Sequence, residues 1–389
     1  MKHPALDGGP VYVDHNATTP IDTAVTEAML PYLTSGFGNP GSDHHYGAGP
    51  RAALAEARVR VAALIGGSAG QVVFTGSGSE ADNLAIRGAV LAAPPDRRHV
   101  VTQCTEHPAV LETCKAMHRL HGVRLTVLPV SPDGVVDPAE LAVAVGADTA
   151  LVSVMAANNE TGAIQPIAEL AAIAHRHGAL FHCDAAQAVG KIPIDVDTSG
   201  VDLLTVVGHK MYAPKGIGAL WVRAGVTLEP LVYGGGQEFG LRAGTENVAL
   251  AVGLGTAARL AAAALADGEP DRVRALRDRL HRGLEHALSD RVRLNGPVEP
   301  RLPNTLNVSV AGVVGHELLA ALPGLAASTG SACHSGSHEP SPVLTAMGHD
   351  AERGLSALRL SLGRWNTTAD VDRVVELIAT ACRSANVHR

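Results

Sequence analysis

From about residue 71 to residue 223, short runs of Val, Ile and Leu alternate with stretches whose apolar residues recur every three to four positions. That alternation is the pattern of βαβ units. The runs at 71–75, 99–103, 124–128, 150–155, 179–183, 203–207 and 218–222 are nearly continuous in apolar character, as strands covered on both faces of a mainly parallel sheet must be. Between them, 166–177 places Ile167, Leu170, Ala171 and Ala174 on one helical face, with Pro166 where a first-turn proline is tolerated. Leu54, Ala57, Val61, Leu64 and Ile65 predict a helix over 51–65, and another follows the 75–80 loop over 81–92. Residues 248–266 are apolar except for Thr256 and Arg259. A mid-segment arginine would cost ~3 kcal/mol in a bilayer, so this stretch is expected as a buried helix of a soluble core. Beyond it the texture changes to a charged, exposed helix at 269–289, short strands near 305–309 and 357–362, and a closing helix at 368–384. The expectation is an α/β fold: a large domain, 17–257, around a mainly parallel sheet, and a smaller α+β domain from 1–16 and 258–389.

Composition narrows the function classes. In 389 residues, 46% are hydrophobic and 18% charged, with glycine and proline dispersed, which excludes disorder and fibrous repeats. The net charge is −7 and the basic residues are scattered, so the positive stripe that nucleic acid requires is missing. The opening residues carry Lys2 without a following apolar run, which predicts neither a secretory signal nor a membrane anchor. Five widely spaced cysteines without a CxxC pair argue against a disulfide framework or a zinc ribbon, and point to a reducing, cytoplasmic setting.

Candidate chemistry lies at the strand ends. Lys210, in Gly208-His209-Lys210, stands just beyond the 203–207 strand, where an open α/β sheet presents reactive groups and an amine can form a Schiff base. Alone, the tripeptide reads more readily as a solvated turn lysine. Asp184 closes the 179–183 strand with no neighbouring cation in sequence; a pyridinium nitrogen is the partner that Schiff-base chemistry would require, and a turn cap is the plainer alternative. Thr75-Gly76-Ser77-Gly78-Ser79-Glu80 leads into a helix, so its glycines, hydroxyls and free amides form a phosphate cradle, compatible with a capping box of Ser77 and Glu80. It is not a Walker loop, because no lysine follows the glycines. In 357–363 the leucines 358, 360 and 362 alternate with Arg359 and Ser361, which turns Arg359 away from the apolar face, and its guanidinium fork suits an α-carboxylate. Cys333 sits in a small, polar, glycine-rich segment, unlike Cys183 and Cys382, and an exposed thiol there suits a nucleophile. His334 and His338 flank it, but their spacing matches no zinc pattern, so no metal is expected.

Taken together, these residues resemble the pyridoxal-phosphate-dependent cysteine desulfurases and the similar selenocysteine lyases, class V aminotransferases of fold type I. The resemblance also runs through 14–20, Gly38-Asn39-Pro40, Thr105-Glu106-His107, 157–162, 234–238, 242–245 and 358–364, nearly the whole chain. It implies pyridoxal 5'-phosphate joined to Lys210, which also deprotonates the substrate Cα, with Asp184 on the ring nitrogen and His107 stacked on the ring and moving protons. Gln187 and Asn159 would bind the ring hydroxyl or substrate; Gly78, Ser79 and His209 would bind the phosphate. Arg359, Asn159 and Asn39 would hold the substrate. Thr245 would reach the neighbouring subunit's phosphate, which implies a homodimer. Cys333 would attack the substrate sulfur and carry the persulfide to a sulfur-acceptor protein. Val207 departs from the serine common in desulfurases and matches the lyases; Ser79 replaces a usual threonine and keeps the hydroxyl. The expected function is L-cysteine desulfurase, with selenocysteine lyase as the alternative, or an aminotransferase or β-lyase in which Cys333 is idle. The acceptor is left open among a cluster scaffold, a tRNA-thiolation protein and a biosynthetic pathway.

Overall fold

The computed structural model describes residues 3–67, 71–330 and 339–385. A short strand β1 (Val11–Tyr12) precedes the main sheet, which comprises β2 (Gln71–Thr75), β3 (His99–Gln103), β4 (Arg124–Leu128), β5 (Thr149–Ser153), β6 (Leu180–Asp184), β7 (Leu203–Val207) and β8 (Gly218–Val222). Their order is β2-β8-β7-β6-β5-β3-β4. The sheet is parallel except where β8 runs antiparallel to both β2 and β7. Successive side chains of a strand face opposite sides. Phe181, Leu204, Val206 and Trp221 accordingly join one apolar cluster, while Leu151, Leu203, Leu220 and Val100 join another.

The smaller sheet, β12-β10-β9, is built from β9 (Val292–Leu294), β10 (Thr305–Val310) and β12 (Ala357–Ser361), and β1 pairs in parallel with β11 (Leu325–Ala326). Its core gathers Leu306, Val308, Leu358 and Leu360 with Val273, Leu280, Leu284 and Ile378, and Val13 from the start of the chain joins it.

Several elements differ from expectation for local reasons. The helix Gly78–Ala92 begins three positions earlier than the apolar pattern suggests, because the Ser77 side chain accepts from Glu80 N and caps it. The charged helix Glu269–Leu288 is amphipathic rather than exposed: Val273, Leu276, Leu280, Leu284 and Leu288 are buried on one face, together with Arg277. The helix Thr23–Thr34, capped by Asp22 and carrying Pro31, was not foreseen. The apolar helix Val248–Ala266 is long and apolar enough to cross a membrane, yet it packs against the helices His45–Leu64 and Thr23–Thr34. Its small residues permit this: a Cβ on Gly255 would lie 2.6 Å from Ala57 Cα, and one on Gly253 would lie 2.7 Å from Met29 Sδ.

Candidate active site

The C-terminal ends of β6 and β7 and the segment 14–19 meet at one pocket. Asp184, the last residue of β6, is 6% exposed, and its Oδ1 accepts from Ala186 N at 2.9 Å. It is therefore both the turn cap and the pocket acid that its sequence position allowed. Burial raises its pKa, while the Ala186 amide, His107 and Lys210 pull it down. Beyond β7, Gly208 admits no side chain, since a Cβ would lie 2.8 Å from Ile217 Cγ2, and the turn it opens delivers Lys210. Lys210 Nζ donates to Asn16 O and, at 2.8 Å, to Ala17 O. Burial, then the Arg359 guanidinium, lowers its pKa to about 8 against the pull of Asp184 and Asp14.

His107 caps the helix Pro108–His121, its Nδ1 accepting from Ala109 N at 3.1 Å. With Nδ1 an acceptor, the ring proton sits on Nε2. Burial lowers its pKa, and Asp184 and Lys210 are the charges it faces.

The 75–80 loop is ordered by its own side chains. Ser77 Oγ accepts from Glu80 N at 3.1 Å, and Glu80 returns Oε2 to Gly76 N at 2.8 Å, one residue before the position a capping box uses. Arg242 holds Glu80 Oε1 at 2.9 Å. The Gly78 and Ser79 amides then open the helix as an anion site. The floor of this cradle is Val207: a Cβ on Gly78 would lie 2.3 Å from Val207 Cγ2. An apolar methyl thus stands where a hydroxyl was expected in many desulfurases. His209 Nδ1 meets Thr18 Oγ1 at 3.2 Å, and burial lowers its pKa to about 4, leaving a neutral ring.

Gln187 is buried, its Nε2 donating to Asn16 O at 3.1 Å. Asn159 O accepts from Arg359 Nη1 at 3.2 Å and from Asn16 Nδ2 at 3.1 Å. Arg359, 5% exposed, pairs with Asp14 at 2.9 Å, and its buried Nε has no partner among the described residues. The fork is therefore partly engaged rather than free.

Asn39 and Thr245 are exposed and make no contact with these residues among the described ones; Asn39 Oδ1 accepts from Gly41 N at 2.8 Å inside its own loop. Cys333 lies outside the described residues. The other cysteines are poor nucleophiles: burial pushes the Cys114 thiol up to about 12 and raises those of Cys104, Cys183 and Cys382.

Sequence reasoning overlooked Asn16, the hub of the pocket. Its N donates to Ser361 Oγ at 2.9 Å, its Nδ2 to Thr305 Oγ1 at 2.8 Å, and its Oδ1 accepts from Asn304 Nδ2 at 2.9 Å and Lys191 Nζ at 3.2 Å. The signal was a short polar cluster, Asp14 to Asn16, directly after the apolar strand β1.

The class-V aminotransferase family profile matches residues 11–374. The chain belongs to the class-V aminotransferase family. Within that family, it is 46% identical over 370 residues to a cysteine desulfurase IscS of Dictyoglomus turgidum, covering 95% of this chain and 93% of the relative. To a cysteine desulfurase IscS of Anaeromyxobacter dehalogenans it is 48% identical over 377 residues, covering 96% and 93%. The solved structure of a NifS-like protein superposes with a TM-score of 0.90 at 36% identity, covering 96% of this chain and all 100% of the other.

Class-V enzymes use pyridoxal 5'-phosphate, and so does this protein. The pocket fits it: Gly78 leaves room for close approach at a helix start, Asp184 is a buried acid awaiting a cation, and Lys210 is an amine held near neutrality.

Proposed function

We propose that the protein is an L-cysteine desulfurase that converts L-cysteine to L-alanine and leaves the sulfur as a persulfide on Cys333. The observation that carries this reading is the identity to named cysteine desulfurases along 95% of the chain. The comparisons favour it over the selenocysteine lyase alternative.

The cofactor supplies an electron sink for charge developing at the substrate Cα. Lys210 would hold the cofactor through its amine and would take the substrate Cα proton. Asp184, whose burial makes an isolated negative charge costly, would pair with the cofactor's ring nitrogen and keep it protonated. His107, with its proton on Nε2, lies on the pocket rim to move a proton at the reacting centre. The Gly78 and Ser79 amides with neutral His209 would hold the phosphate, and Gln187 and Asn159 would hold the ring hydroxyl side. Arg359 exchanges part of its contact with Asp14 for the substrate carboxylate. The Cys333 thiolate would attack the substrate sulfur, the Cβ–S bond would break with its electron pair passing to Cβ, and one proton added at Cβ and one returned from Lys210 to Cα would complete alanine. The persulfide then passes to an acceptor protein.

A homodimer in which Thr245 completes the partner's phosphate site is part of this reading. In support, Thr245 is exposed, and the large side chains of Phe37, Tyr46, Tyr233 and Phe239 are exposed. Free thiols at Cys104, Cys114, Cys183 and Cys382 support a cytoplasmic setting.

The test is to incubate the protein separately with L-cysteine and L-selenocysteine and to measure alanine, sulfide and selenide. Cys333→Ala is expected to keep the cofactor band and lose sulfide production from cysteine. Desulfuration at the native rate by that variant overturns the assignment in favour of a β-lyase.

A further inference from the structure

Behind the pocket stands a second lysine that the proposed reaction does not use. After β6 the chain turns through Ala188 N and Val189 N to Ala185 O, and through Lys191 N and Ile192 N to Ala188 O. This places Gln187 and Lys191 four residues apart on one face. Gly190, at φ +77°, makes the bend that returns Lys191 inward, and a Cβ there would lie 2.9 Å from Met211 Cγ. Lys191 Nζ donates to Gln187 Oε1 at 2.6 Å and to Asn16 Oδ1 at 3.2 Å.

These contacts decide which way the Gln187 carboxamide points. Its Oε1 faces an amine that donates, and its Nε2 faces the Asn16 carbonyl, which only accepts. Turning the amide over would set donor against donor and acceptor against acceptor, at about 1–3 kcal/mol for each buried bond lost. One N–H of Gln187 is spent on Asn16 O; the other is free for the cofactor. Lys191 is held there at a cost, since burial, then Lys210 and Arg359, push its pKa well below the ordinary lysine range. His15 and His209 also feel its charge.

We propose that Lys191 is a positioning residue of the cofactor site: by donating to Gln187 Oε1 it locks the remaining N–H of the Gln187 amide toward the ring hydroxyl of pyridoxal phosphate. The inference rests on the reading of this pocket as the cofactor site. A donor to that oxygen stabilises its ionised form, which then holds the neighbouring Schiff-base proton less tightly. Losing the donor therefore moves the pH midpoint of the visible absorption band upward.

The experiment titrates the visible band of the cofactor-loaded protein and measures the affinity of the apo-protein for pyridoxal phosphate. Lys191→Met and Gln187→Leu are each expected to raise the midpoint by about one unit, and the double variant to go no further than either. Lys191→Gln, which keeps a donor without a charge, is expected to retain the native midpoint and serves if Lys191→Met does not fold. The proposal is overturned if Lys191→Met leaves the midpoint unchanged or if the two single shifts add. It is equally overturned if Lys191→Gln moves the midpoint as far as Gln187→Leu, because charge rather than donation would then be what the pocket needs. Failure of the cofactor reading itself looks different: the native protein then shows no visible band, or borohydride fixes the cofactor to a lysine other than Lys210.

Discussion

Lys210 is an amine whose reactivity the pocket has already adjusted. An ordinary lysine is almost wholly protonated at neutral pH, but burial and Arg359 bring this one to about 8. Only the neutral amine attacks an aldehyde, so the rate at which the apo-protein takes up pyridoxal phosphate should climb with pH and level off above about 8. Stopped-flow absorbance checks this, and a rate still rising steeply toward pH 10.5, the value of an unshifted lysine, would contradict it. His15 provides a second residue-level outcome. Its ring is 1% exposed, neither nitrogen has a partner among the described residues, and it lines a cavity of about 30 Å³ with Lys191, Lys210 and Tyr212. Burial lowers its pKa to about 3, so between pH 6.5 and 3 the unfolded chain binds a proton that the folded chain refuses, and stability falls as pH falls. His15→Phe removes both orphaned nitrogens and this linkage. It should melt at a higher temperature than the native chain, with a gap that widens from about pH 6.5 downward; a gap independent of pH sinks the argument.

At the scale of elements, β7 meets the helix Gly78–Ala92 in a tight junction. Gly78→Ala would drive a Cβ to 2.3 Å from Val207 Cγ2, so the helix start must retreat or the valine must shift. Overpacking of this kind costs about 1–3 kcal/mol. Cofactor affinity should drop roughly tenfold or more, as 1.4 kcal/mol is a factor of ten, and Val207→Ala in the same chain should restore most of it. Equilibrium dialysis of the apo-proteins measures both, and a double variant as weak as the single one refutes the contact. How legible such junctions were in sequence follows from what sets them. The strands of the main sheet were readable because both faces are buried and the apolar runs are continuous, and Lys210, Asp184 and the 75–80 loop were readable because they punctuate those runs. Local hydrogen bonding then moved the boundaries, as Ser77 did for its helix. The charged texture of Glu269–Leu288 hid an apolar stripe at helical spacing. Lys191, Asn16 and the pairing of Arg359 with Asp14 depend on contacts between distant segments, which no local pattern encodes.

For the whole molecule, the proposed dimer makes each pocket a shared product. Neither Lys210→Ala nor Thr245→Val is expected to sustain desulfuration alone. Unfolding and refolding the two together should create mixed dimers in which the Lys210 of one chain works beside the Thr245 of the other, so activity reappears. No recovery in the mixture, or full activity in a sedimenting monomer, contradicts the shared site.

Asn16 links Lys191 and Gln187 on one side to Asn304, Thr305 and Ser361 on the other, and Ser361 lies 345 positions along the chain from it. The ribosome makes Asn16 before the seven-stranded sheet and the strand that pairs beside it only after that sheet. A nascent chain can fold the seven-stranded sheet and present Lys210 well before that strand exists, but Arg359, Ser361 and the closed form of the Asn16 hub arrive only about 150 residues later than Lys210. Stalled nascent chains that stop short of residue 357 should therefore expose a reactive Lys210 amine in a half-built pocket, and the vitamin is captured in its finished setting only once both segments of the hub have been made.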